Sequence, residues 1–196
     1  MCEGVRKPRG ANVIDERLIR ETEAEVNRLE AACKLAASHR HESASAKERW
    51  VQACRACHQY ESPLWELWTP EAQRDIVHQG GYWRTVAVMY LRVSPRFFRS
   101  GYLRDMVCHR LKQASLESNE RSQIRDALLD GLNRRPPTGR FAYDCRLAAR
   151  VADDEFLRAL TTALHEGDLW LKGRATRMLQ HAASIRKAHD QGEPLQ

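Results

Sequence analysis

The sequence has no run of about eighteen apolar residues, the length a helix needs to cross a bilayer, so it has no candidate spanning helix. It also lacks a glycine-rich phosphate loop, an H-E-x-x-H, a G-x-S-x-G and a dinucleotide-binding fingerprint, which are the short patterns of nucleotide cradles, zinc peptidases and serine hydrolases. The densest carboxylates, Asp153, Asp154 and Glu155, fall at a helix start, where a cap and first-turn charge explain them. No catalytic constellation can be assembled, so a non-enzymatic protein without a cofactor is the expectation. Behind the basic residues of Met1 to Gly10 there is no apolar segment of the kind that signals export, which makes the cytoplasm the expected location. Six cysteines are scattered over 196 residues, too thinly for a disulfide framework, and reduced thiols are expected.

Apolar residues at 42% and charged residues at 30% suit a folded globular chain. From Val13 to His39 neither Pro nor Gly occurs, and Leu18, Ile19, Val26, Leu29, Cys33 and Ala36 form one stripe, which predicts a long amphipathic helix. A polar loop over 41–46 precedes a second predicted helix from Lys47 to Glu61, stopped by Pro63. Thr69 and Pro70 make a helix entrance, and Gly80 and Gly81 end that short helix. Tyr82 to Val93 is the most apolar segment and is assigned to the centre of the core. By the same cap-plus-proline logic, Ser94 and Pro95 open a helix interrupted at Gly101 and reaching Leu116. Ser118 or Asn119 caps the next, whose stripe of Ile124, Leu128, Leu129 and Leu132 ends before Pro136 and Pro137. Helices over 139–152, 153–165 and 168–189 complete the pattern.

The expected fold is therefore all-α. A single helical domain over 12–190 divides into an N-terminal hairpin (12–62) and a repeat-like part (69–190), between a flexible tail at 1–11 and a C-terminal tail at 191–196. In the last third, Asp153 to Leu160 with Ala163 and Leu164, a turn at Gly167 and Asp168, then Trp170, Arg174, Ala175 and Leu179 resemble one HEAT-type helical repeat. In that family an Asp in the turn and an Arg inside the second helix recur, and Asp168 and Arg174 stand at those places. The resemblance implies antiparallel helix pairs presenting a surface to another macromolecule, either as a short solenoid or as an irregular bundle.

Two constellations invite a functional reading. Cys54, Cys57 and His58 spell C-x-x-C-H, the spacing of c-type haem attachment, and could also begin a zinc site completed by Cys108 or His109. Haem attachment is at odds with a cytoplasmic chain, and Cys108 and His109 diverge by about 100° on a helix, so no metal is expected and a buried thiol pair is preferred. The second constellation is charge. Tyr82 to Arg150 holds thirteen Arg and one Lys against six acids, a net of +8 in a chain whose total is +6. Guanidinium forks suit carboxylate and phosphate partners, which makes Arg92, Arg96, Arg99 and Arg104 candidate contacts, although solvated helix faces are the preferred account of them. Trp65 and Trp68 are candidate interface anchors, or else locks for the Pro63 turn. A helical adaptor or regulatory protein that binds another protein is the first expectation, with oligomeric state open. A nucleic-acid-associated protein is the second, and a metal or haem protein the third.

Overall fold

The computed structural model describes residues 13–134 and 139–190, with side chains as far as 183. Among them every regular element is helical. In chain order these are α1 (Glu16–His39), α2 (Ala44–Gln59), a 3-10 helix (Pro63–Trp68), α3 (Pro70–Arg74) continuing into one π turn (Asp75–Gln79), α4 (Tyr82–Val93), α5 (Ser100–Gln113), α6 (Ser118–Asn133), α7 (Phe141–Val151), α8 (Asp154–Glu166) and α9 (Leu169–Asp190). The expected tails at 1–11 and 191–196 and the break at Pro136 and Pro137 fall outside the described residues.

Side-chain caps fix most of these starts. The oxygens of Asp15, Ser43, Ser62, Thr69 and Asp153 accept hydrogen bonds from the backbone N–H groups of Leu18, Ala46, Leu64, Ala72 and Phe156, satisfying donors that the first helical turn leaves free. Because Ser43 is the cap, α2 begins three residues before the expected Lys47. Trp65 and Trp68, expected beyond a helix stop, lie inside the 3-10 helix that Pro63 opens.

The helix α4 buries eight of its twelve residues. Around it pack α1, α5, α6 and the π turn, while α7 bridges α5 to α9 and α8 closes against α9. Its Arg84 is also buried, and the guanidinium donates to three backbone carbonyls, Ile76 at 2.8 Å, Ser115 at 2.9 Å and Val77 at 3.0 Å. Gly80 ends the π turn at φ +66°, and a Cβ there would sit 2.9 Å from Arg84 Nη1, so glycine is required both by conformation and by the approach of this side chain.

The junction of α4 and α5 departs from the sequence expectation. Ser94 adopts the left-handed conformation (φ 50°) and terminates α4, and α5 starts at Ser100 after a loop rather than at Pro95. A serine followed by proline satisfies two opposite rules, an N-cap before a first-turn proline and a C-terminal cap before a helix-stopping proline. The second holds here because Arg104 Nη1 donates to Ser94 Oγ at 3.2 Å and Arg134 Nη1 donates to the carbonyls of Val93 and Ser94. Gly101 lies in the first turn of α5 and interrupts nothing. At α6 the cap is Glu117, not Ser118 or Asn119, with Glu120 reaching back to the Glu117 N–H at 2.8 Å.

Candidate functional site

The 94–99 loop is where the expected contact residues meet. It is held from below by α1: Arg96 N–H donates to Glu23 Oε1 at 2.7 Å, and Arg96 O accepts from Asn27 Nδ2 at 2.8 Å. Ser100 Oγ accepts from Phe97 N–H at 3.1 Å, and the Ser100 carbonyl accepts from the buried Tyr90 hydroxyl at 3.0 Å. So anchored, the loop tolerates two residues in the left-handed region, Ser94 and Arg99 (φ 69°), the only non-glycine residues with positive φ among those described. Each such residue costs about 1–2 kcal/mol, and in an over-determined loop that cost buys the placement of a side chain.

That side chain is Arg99. Its guanidinium stacks on the exposed Phe98 ring at 5.1 Å and borders a cleft of about 440 Å³ lined by Trp65, Trp68, Arg99 and Tyr102. The 3-10 helix supplies both indoles: Leu64 and Leu67 turn inward and are fully buried, which leaves Trp65 half-buried and Trp68 exposed on the opposite side. Trp65 meets the buried Phe97 edge to face, with centroids 6.5 Å apart. Tyr102, in the first turn of α5, is 61% exposed. Among the described residues the lining of the cleft is two indoles, a phenol and a guanidinium, groups suited to apolar contact, cation–π stacking and hydrogen bonding.

The remaining expected contacts separate. Arg92 is exposed and donates to Gln123 Oε1 at 3.4 Å across to α6, and Arg96 is half-buried. Arg104 is not a surface residue. It is 3% exposed and paired with Asp144 of α7, with Nη2 and Nε 3.0 and 3.1 Å from Oδ1, a contact that offsets the desolvation of the buried charge. Much of the +8 segment follows the same pattern: Arg84, Arg121, Arg125 and Arg134 donate to backbone carbonyls, Arg125 also meets Asp153, Arg110 grips Gln73 and Arg140 meets Asp105.

The C-x-x-C-H residues do not join Cys108. Cys108 is fully buried against Asp144 Oδ1 at 3.5 Å, and burial together with that carboxylate pushes its thiol well up. Cys54 instead faces Cys33 of α1, and among the described residues no group of three or more His, Cys, Asp or Glu side chains is arranged to hold a metal ion. A larger, shallower concavity of about 840 Å³ lies at the start of α9. There Asp168 caps the helix through Leu171 N–H, and Arg174 stacks on Phe141 at 3.8 Å and on Trp170 at 5.4 Å while donating to Gly131 O, so its guanidinium is engaged in packing α9 onto α6 and α7.

Tyr102 is not among the contacts expected from the sequence; of the aromatics around the α4–α5 junction, Tyr90 and Phe97 are buried in the core, whereas Phe98 and Tyr102 are exposed. No family model, no curated protein and no solved structure matches this chain.

Proposed function

We propose that this protein is a non-enzymatic helical adaptor that binds another protein through the Trp65, Trp68, Arg99 and Tyr102 cleft. The observation that supports this most is the composition of the cleft: Trp, Tyr and Arg are the residue types that dominate binding energy at protein interfaces, and here two Trp, one Tyr and one Arg converge, the Arg on a loop in the left-handed conformation. The partner segment that fits is a short peptide with a large apolar side chain for the indoles and an adjacent Asp or Glu for Arg99. The engagement of the middle-segment arginines in carbonyl and carboxylate contacts favours this reading over a nucleic-acid-associated protein. The α8 and α9 hairpin, with Asp168 at its turn and Arg174 tied to the preceding helices, supports treating the C-terminal end as HEAT-like. Selection of a displayed random-peptide library against the full chain should enrich apolar-acidic motifs whose affinity drops at least tenfold for Trp68→Ala, Tyr102→Ala and Arg99→Ala. Peptides that bind these variants as tightly as the parent would place the site elsewhere.

A further inference from the structure

The α1–α2 hairpin brings three of the chain's six cysteines together, and none has a role in the cleft. Cys33, near the C-terminal end of α1, and Cys54, in the middle of α2, have Sγ atoms 3.1 Å apart, with Cys57 one turn beyond Cys54. All three are half-buried rather than sealed. Cys108 and Cys145, by contrast, are fully buried, and burial first, then Asp144, pushes the Cys145 thiol up to about 12. The same chain thus holds inert core thiols and one accessible thiol pair in sulfur–sulfur contact.

The surroundings give such a pair something to do. The buried residues of α1, Ile19, Thr22 and Leu29, all precede Cys33, and α2 buries only Ala46. The outer half of the hairpin therefore has little apolar burial to hold it, which is the circumstance in which a covalent link adds most.

We infer that Cys33 and Cys54 form a reversible redox modification site that takes a small-molecule disulfide as oxidant and closes a covalent staple between α1 and α2. The hydrogen bond with Cys33 raises the Cys54 thiol above its ordinary value, and one of the two contacting sulfurs, here Cys33, engages the oxidant as its thiolate. The Cys33 thiolate attacks one sulfur of the small disulfide, forming a mixed disulfide and expelling one thiolate. The Cys54 thiol then gives its proton to solvent and attacks the Cys33 sulfur as the thiolate. The Cys33–Cys54 bond forms, the second small thiolate leaves, and the oxidant has gained the two electrons the protein has lost.

The test is equilibration of the full chain in glutathione/glutathione-disulfide buffers, followed by acid quench, alkylation and peptide mapping, with hydrogen exchange measured on the same samples. We expect a Cys33–Cys54 crosslink that forms as the buffer becomes oxidising, is reversed by dithiothreitol, survives Cys57→Ser and is lost in Cys33→Ser. Its formation should be faster at pH 8.5 than at pH 7. Amides of 30–57 should become at least tenfold more protected on oxidation while those of α4 stay unchanged. A chain that stays reduced under strongly oxidising buffer, a dominant crosslink between other cysteines such as Cys54 with Cys57, or a Cys33–Cys54 bond that leaves exchange over 30–57 unaltered would each overturn the inference.

Discussion

Two regions of this molecule use similar helices in opposite ways. The α4–α7 body surrounds its central helix on several sides, so Leu91, Leu103, Val107, Leu111, Ile124 and Leu147 are all sealed from solvent. The α1–α2 hairpin is longer than any pair in the body, yet α2 packs mainly on α1, and solvent reaches most of both helices. The surface of α1 is laced instead with ion pairs such as Arg17–Glu21, Arg20–Glu16 and Arg28–Glu25, all of them solvent-exposed, where water and salt screen the attraction and little cohesion results. Helix length is therefore a poor guide to cohesion here. What separates the two regions is the number of neighbouring elements each helix can bury against.

The comparison breaks most severely at the buried ion pair. Asp144→Ala leaves the Arg104 guanidinium without its carboxylate in the densest part of the body, and a loss of about 3–5 kcal/mol in denaturant unfolding is expected. A well-packed double replacement such as Arg104→Met with Asp144→Leu should recover most of that loss.

Truncation of leucines sharpens the contrast. Leu103→Ala, from full burial in α5, should cost about 3–4 kcal/mol, whereas Leu29→Ala, at the last buried position of α1, should cost about 1–2 kcal/mol. Equal costs in chemical denaturation would mean that the hairpin is as tightly integrated as the body.

The 94–99 loop, part of the body and hydrogen-bonded to α1, is predicted to trade stability for binding. Arg99→Gly relieves the left-handed strain and should stabilise the fold by up to about 1 kcal/mol, while the affinity for cleft-selected peptides falls about tenfold. A glycine variant that is destabilised would show that the Arg99 and Phe98 stack outweighs the backbone strain.

The smallest effect expected is on pH dependence. Partial burial first, then Arg110 and Lys112 on its own helix and Arg146 from α7, lower His109 below its ordinary value of 6.5, while Gln113 and the Tyr143 ring are its neutral neighbours. The unfolded chain then binds this proton more readily than the folded one, so stability falls as pH drops below about 6.5. His109→Gln should make that acid limb shallower in a pH series of thermal melts.

The all-helical class and the central place of α4 were legible in the sequence because they rest on local periodicity and on a segment without a charged face. Thr69 with Pro70 and the cap at Asp153 were legible for the same reason, since a cap acts within three residues. Arg104 was not legible as a core residue, because what makes its burial possible is Asp144, forty positions away and on another helix. The Cys33 and Cys54 contact depends on the register of the α1–α2 hairpin, which two amphipathic stripes do not fix. Of the cleft, Trp65, Trp68 and Arg99 were found one by one as residue types suited to contact. Their convergence, and the membership of Tyr102, required the turn at Ser94, where two capping rules with opposite consequences shared one dipeptide.

Arg84 shows that charge in this chain is also a building material. One guanidinium closes the ends of two separate segments, the π turn at Ile76 and Val77 and the exit of α5 at Ser115, a task that would otherwise need several capping side chains. A lysine ammonium has the same charge but neither the planar fork nor the span to meet three carbonyls at once. Two versions of this sequence differing only by lysine for arginine at 84, 125 and 134 would therefore have the same formal charge of +6 and very different mechanical continuity. The preference for arginine in the middle of the chain is a demand of joinery, and counting charges does not reveal it.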